Sequence, residues 1–98
     1  MKNTMNSTTA AKADARRLPV NSTPENLEMS FSTVLNFGDH VLVAGYYYTG
    51  SGRDYYAAVY RFTTDDRTCE GRVRLVTTSE EQFEDNGHAI AWAMAHTK

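Results

Sequence analysis

The chain is short of most residues that build staples, cages and anchors. It has one cysteine, two prolines and three histidines among 98 residues. One cysteine closes no internal disulfide and supplies neither a four-cysteine zinc cage nor a Cys-X-X-Cys redox pair. No apolar run approaches the roughly 20 residues that span a bilayer, so no membrane association is expected. Basic excess is missing too: Lys and Arg number 10 against 12 Asp and Glu, a net charge of -2. That argues against a general nucleic-acid or anionic-surface binder, both of which depend on positive charge. The apolar core of a secretory signal is absent from the N-terminal stretch, so a cytoplasmic location is expected. The length admits one domain.

Residues 1–26 contain no aromatic side chain and are rich in Asn, Ser, Thr, Ala and Lys. Lys2, Lys12, Arg16 and Arg17 outnumber Asp14 and Glu25. Such a stretch buries too little to offset its ordering entropy, so residues 1–26 are expected to form a disordered basic arm. The alanine-rich piece from Thr8 to Leu18 is at best a transient helix, because short isolated helices are marginal in water. Residues 27–98 are expected to form a single α+β domain.

From Leu27 the pattern turns to alternation. Leu27, Met29, Phe31, Thr33, Leu35 and Phe37 occupy every second position, which predicts a half-buried strand. Gly38-Asp39 marks a turn. A strict two-residue turn there sends Leu35 to the side of Tyr46, and a one-residue bulge sends it to the other side. His40 to Thr49 and Asp54 to Thr63 are β-branched and aromatic, hence two strands around the loop Gly50-Ser51-Gly52-Arg53. Cys69 to Thr78 reads as a fourth strand. Ser79-Glu80-Glu81-Gln82 fits a capping box that opens a helix through the alanine-rich run Ala89 to Ala95. The expected layout is ββββα, a four-stranded antiparallel meander with one C-terminal helix on one face.

The order strand, strand, strand, helix over about residues 40–97 resembles the double-stranded-RNA-binding fold. That family places lysines at the start of its last helix. Here those positions are Glu80, Glu81, Glu84 and Asp85, of opposite sign, so RNA binding is not carried over.

Helical spacing puts Phe83, Gly87, Ile90, Ala91 and Met94 on one face of the last helix. Gly87 in that stripe predicts either a close helix–sheet approach or a local break. Val41, Val43, Gly45, Tyr47, Tyr56, Ala58, Tyr60, Phe62, Val73 and Leu75 share the sheet face expected beneath it. The opposite face holds Leu42, Ala44, Tyr46, Tyr48, Tyr55, Ala57 and Val59 with Arg61, Arg72 and Arg74. One helix cannot cover both sides, and a solvated sheet face normally alternates apolar with polar residues. The expected interaction surface is therefore the outer face, through Tyr46, Tyr48, Tyr55, Arg61, Arg72 and Arg74. A second candidate is the helix line Glu81, Asp85, His88, Trp92 and His96, anchored by Trp92 and open to pH control through its histidines.

Catalytic constellations are not apparent. His88 and His96 lie two helical turns apart without a ligand between them, and Glu84 with His88 makes only two ligands, so no metal or other cofactor is expected. Cys69 reads as a buried free thiol. Gly50-Ser51-Gly52-Arg53 lacks the strand–loop–helix context of a phosphate loop. No carboxylate pair has surroundings that would separate its pKa values. The sequence thus predicts a small non-enzymatic interaction module. It would self-associate as a homodimer through stacked outer faces or dock on a larger protein as inhibitor or adaptor. The alternative is a single-stranded nucleic-acid binder that stacks bases on the same tyrosines.

Overall fold

The structure is a computed structural model that describes residues 7–97. In chain order it contains α1 (Ser7–Ala15), β1 (Asn21–Ser22), α2 (Pro24–Ser30), β2 (Thr33–Phe37), β3 (His40–Thr49), β4 (Gly52–Phe62), β5 (Val73–Thr78) and α3 (Asn86–Ala95). The strands form one antiparallel sheet in the order β1-β5-β4-β3-β2. The class is α+β with a C-terminal helix, and the sheet has five strands rather than four. The extra one, β1, pairs Asn21 and Ser22 with Arg74 and Val73 at the β5 edge. No helix among the described residues is long and apolar enough to cross a membrane.

β3 and β4 form the longest ladder, from His40 opposite Arg61 to Thr49 opposite Gly52. The loop is the two residues Gly50 and Ser51, not four, and Gly52 takes a φ of +147°, which a side chain rarely adopts. The register differs from a four-residue loop by two positions, so every side chain keeps its expected face. The turn at Gly38-Asp39 is the strict two-residue one, with Phe37 opposite His40 and Leu35 opposite Leu42. Gly38 supplies its positive φ of 64°.

The residues sort between the two faces as expected, but the covers are exchanged. Val41, Val43, Tyr56, Ala58, Tyr60, Phe62, Val73 and Leu75 are buried beneath the N-terminal segment, with Ala13 of α1, Leu18, and Leu27 of α2. The C-terminal helix lies on the opposite face, where Ala89 and Ala93 pack with Leu42, Ala44, Ala57 and Val59. Chemistry explains the choice. The Tyr56/Tyr60 face carries hydroxyls that need acceptors. A regular helix spends its carbonyls on its own N–H groups. The irregular Arg16–Pro19 stretch has carbonyls to offer: Tyr60 donates to the Pro19 oxygen at 2.6 Å and Tyr56 to the Arg16 oxygen at 3.3 Å. The other face is floored by Ala44 and Ala57, which let the alanines of α3 approach closely.

The folded part therefore starts well before residue 27. Residues 7–26 contribute α1, β1 and the start of α2, and the portion of the expected disordered arm in residues 1–6 lies outside the described residues. α1 closes with the Leu18 N–H donating to the Ala13 carbonyl at 2.8 Å and the Arg17 N–H to the Asp14 carbonyl at 3.1 Å. This is a Schellman ending, and Arg17 holds its left-handed position with φ 57°, where glycine is the usual residue. Leu18 follows it into the core beside Ala13.

Other boundaries move as well. Leu27 and Met29 belong to α2, not to a strand. Thr23 caps this helix, its hydroxyl accepting from the Asn26 N–H at 3.2 Å, and Pro24 sits in the first turn. Leu27 is 1% exposed and Met29 80%, so the apparent alternation there had no sheet behind it. Cys69 lies exposed in the loop before β5, neither buried nor in a strand. An aspartate turn holds that loop, with Asp66 Oδ1 accepting from the Thr68 N–H at 2.9 Å and from its hydroxyl at 2.6 Å. Val76 is the extra residue of a bulge between Leu75, opposite Tyr60, and Thr77, opposite Val59.

Ser79 does not open a helix. Its hydroxyl donates to the Glu81 carbonyl at 2.8 Å and accepts from the Ala57 N–H at 3.1 Å, so it extends the sheet ladder from a fully buried position. Phe83 then bridges to Tyr55 through two backbone hydrogen bonds of 3.0 and 2.7 Å. Asp85 is the true N-cap. Gly87 lies exposed in the first turn, neither against the sheet nor at a break. Ala91 and Met94 are exposed, and Ala89 and Ala93 take the inward stripe instead.

Two predictions follow from these covers and caps. Leu18→Ala is expected to destabilise the protein by about 2–4 kcal/mol in chemical denaturation, as for a core leucine; an unchanged midpoint would mean that the N-terminal segment is not part of the core. The Asp85 carboxyl is held below its usual range, first by the His88 backbone N–H at 2.8 Å and then by the His88 ring. A lowered folded pKa means that this stabilisation is complete above the ordinary aspartate value of about 3.9 and is lost as pH falls through the folded value. Asp85→Ala should therefore melt below the wild type at pH 7, and the gap should narrow steadily below about pH 4, as read by thermal melts across pH.

Candidate functional site

The helices cover the middle of the sheet, and the far end of the β3–β4 hairpin projects past them. On the α3 side of that end, Tyr46, Tyr48 and Tyr55 form one cluster. The Tyr46 ring lies 5.5 Å from Tyr48, edge to face, and 5.3 Å from Tyr55. Arg53 sits directly opposite Tyr48 in the ladder. Its guanidinium lies over the Tyr46 ring at 4.7 Å and the Tyr48 ring at 5.5 Å, and Nη1 donates to the Tyr55 hydroxyl at 3.3 Å. That hydroxyl is the main cause of the raised Arg53 pKa, and the guanidinium is cationic in any case. The Tyr46 phenol is also raised, chiefly by Tyr48, and stays neutral at physiological pH. Tyr48 is 71% exposed. The tip offers stacking surfaces that turn toward solvent and one fixed positive charge.

The reverse side of the same end is also aromatic. Tyr47 and Tyr56 lie 5.8 Å apart, and the Arg16 guanidinium covers Tyr56 at 4.8 Å. Lys12, Ala15, Arg16 and Arg17 join Tyr46, Tyr47 and Tyr56 around a cleft of about 490 Å³. A neighbouring cleft of about 390 Å³ runs from Tyr46 and Tyr56 past Gly45 to Phe31. Gly45 is required there, because a Cβ would come within 2.6 Å of the Tyr56 hydroxyl. Tyr47 is tied to the segment before α3 by a hydrogen bond from the Gln82 amide.

The structure divides the residues expected to act together. Tyr46, Tyr48 and Tyr55 do meet. Arg61, Arg72 and Arg74 are exposed but lie toward the opposite end, with Arg61 directly across from Arg74. Six residues of strand separate Tyr55 from Arg61, roughly 20 Å, and α3 covers Leu42, Ala44, Ala57 and Val59 between them. Among the described residues, α3 therefore interrupts the outer face between the tyrosines and these arginines. The arginine that lies against the tyrosines is Arg53. It was missed because a four-residue loop leaves it unpaired, and only the two-residue turn sets it against Tyr48.

The second candidate surface is also divided. Trp92 is half-buried at the rim of the α3 layer, with its ring stacked on His96 at 3.8 Å. The His96 ring Nδ1 lies 2.7 Å from the Trp92 carbonyl. Both line a cleft of about 510 Å³ with Lys12, Thr77, Thr78, Glu80 and Glu81. His88 turns instead to Asp85, at 2.9 Å. Among the described residues no group of three or more His, Cys, Asp or Glu side chains is placed to hold a metal ion.

Neither a curated protein nor a solved structure shows significant similarity to the chain. Residues 18–97 do match the sequence profile described as nucleotide modification associated domain 4. The matched span runs from the core residue Leu18 through all five strands to the end of α3. Since it covers well over half of the sequence, the chain belongs to the nucleotide modification associated domain 4 family.

Proposed function

We propose that the chain is a non-catalytic binding module that takes single-stranded nucleic acid on the tip of the β3–β4 hairpin. The observation that carries this reading is the Tyr46–Tyr48–Tyr55 cluster bridged by Arg53. Bases stack on exposed tyrosine rings whatever their identity, and an arginine lying on those rings meets the adjacent phosphate. The family description, which concerns nucleotide modification, supports a nucleic-acid partner. Coverage of the outer sheet face by α3 weighs against docking a protein across that face.

The charge balance sets the character of the binding. With a net charge of -2 the chain has no long-range attraction for a polyanion. Affinity then rests on stacking, and its salt dependence is shallow. A second reading, docking on a protein partner, is favoured by the half-buried Trp92–His96 stack beside its cleft. The tip and that stack lie on different parts of the molecule, so one variant at each separates the two readings.

Fluorescence anisotropy with a labelled oligothymidylate tests the first. Binding at low salt should weaken about tenfold in Tyr48→Ala, within the range for loss of one stacked base. Engagement of one or two phosphates gives a slope of log K against log salt of roughly -0.7 to -1.4. Absence of binding at low salt, or binding that ignores Tyr48→Ala, would refute the reading.

A further inference from the structure

We propose that the cleft on the reverse side of the hairpin is a seat for a nucleotide bearing a terminal phosphate, with the base against Tyr47 and the phosphate at Lys12 and Arg17. This inference does not rest on strand binding at the tip, since the cleft opens on the opposite face of the hairpin and shares only Tyr46 with the tip cluster.

The cleft has the composition of an anion site. Lys12, Arg16 and Arg17 line it, and none of its lining residues is a carboxylate. In a chain of net charge -2 that is a local concentration of positive charge. Its volume of about 490 Å³ suits a small-molecule ligand. Tyr47, 40% exposed, supplies an aromatic wall, backed by the buried Tyr56 ring under Arg16. Burial raises the Tyr56 phenol above its usual range, so no phenolate opposes an anion at neutral pH.

Three details favour phosphate at this position. A helix C-terminus ordinarily repels anions through its free carbonyls. Here the carbonyls of Lys12, Ala13 and Asp14 accept from the N–H groups of Arg16, Leu18 and Arg17, and that of Arg16 accepts from the Tyr56 hydroxyl. Arg16 is immobilised, its Nη1 donating to Thr78 Oγ1 at 2.9 Å and to the Ser79 carbonyl at 2.6 Å. It therefore presents a preorganised field, while its neighbours remain available. Among the described residues Lys12 pairs with Glu80 alone, at 3.8 Å, and that glutamate is 81% exposed, which makes the pair weak.

Arg17 is the most telling residue. Its side chain makes no hydrogen bond or ion pair among the described residues, and its backbone holds φ 57°, where glycine would be unstrained. The Schellman ending of α1 fixes that backbone, and it leaves the exposed Arg17 guanidinium, without a partner among the described residues, beside the cleft. Lys12, Arg16 and Arg17 precede the matched residues 18–97, and the tyrosines of the cleft lie within them.

Free mononucleotide and the 5′-phosphorylated end of a strand share this chemistry. Calorimetric titration of the full chain with thymidine monophosphate, thymidine and inorganic phosphate defines the ligand. Thymidine monophosphate should bind at least tenfold more tightly than either fragment. Arg17→Glu should weaken it at least tenfold and Tyr48→Ala should leave it unchanged. Arg17→Gly guards against a folding artefact: it should raise the melting temperature by relieving the left-handed strain and still weaken the nucleotide severalfold. Oligothymidylates with 5′-phosphate or 5′-hydroxyl identify the source. In the Tyr48→Ala background, a preference for the 5′-phosphorylated over the 5′-hydroxyl strand assigns strand ends, and equal binding of the two assigns free nucleotide. The proposal is overturned if thymidine monophosphate does not bind, if inorganic phosphate binds as well as the nucleotide, or if Arg17→Gly binds it like the wild type.

Discussion

A sheet whose two central strands are apolar on both sides must be covered twice. β3 and β4 bury Val41, Val43, Ala58 and Tyr60 on one side and Leu42, Ala44, Ala57 and Val59 on the other. Leaving either side in water would forfeit roughly 1.5–3 kcal/mol for each large side chain. The chain has material for one regular cover at its C-terminus. The N-terminal segment must supply the other, although its composition alone would leave it unfolded. The remaining features depend on that need: the ordered arm, the Schellman ending at Arg17, and the assignment of α3 to the alanine-floored face.

The two covers are shorter than the hairpin they enclose. Past their ends the side chains change from valine, leucine and alanine to tyrosine and arginine. Tyr46, Tyr48, Tyr55 and Arg53 emerge on one side, and Tyr47 with the basic end of α1 on the other. Tyrosine suits this boundary because its ring continues the apolar surface and its hydroxyl meets water or a polar partner. The same properties make it a stacking platform. The buried middle of the strand pair holds this end in place.

Much of this was legible in the residues. β3, β4 and their faces follow from β-branched and aromatic runs, and parity survives a loop-length error of two. The tyrosine cluster was legible for the same reason. The helix start was misread because Ser79-Glu80-Glu81-Gln82 satisfies the local capping rule. Asp85 satisfies it as well, and Ser79 is worth more as a buried partner for Ala57. Thr23-Pro24-Glu25 carried the signals of a helix start, which the spurious alternation of Leu27 and Met29 outweighed.

The sequence by itself determined the α+β class, the long hairpin, the side on which each of its residues points, and the absence of any disulfide staple. These depend on period-two patterning and composition, which are local quantities. Only the tertiary structure decided which helix covers which face, whether the basic arm is part of the core, and which arginine joins the tyrosines. Those outcomes depend on contacts between residues far apart in the chain: Tyr60 with Pro19, Arg16 with Ser79, Ala57 with Ala93. Periodicity in either partner says nothing of the other, because hydrogen-bond matching and close approach are properties of the assembled pair.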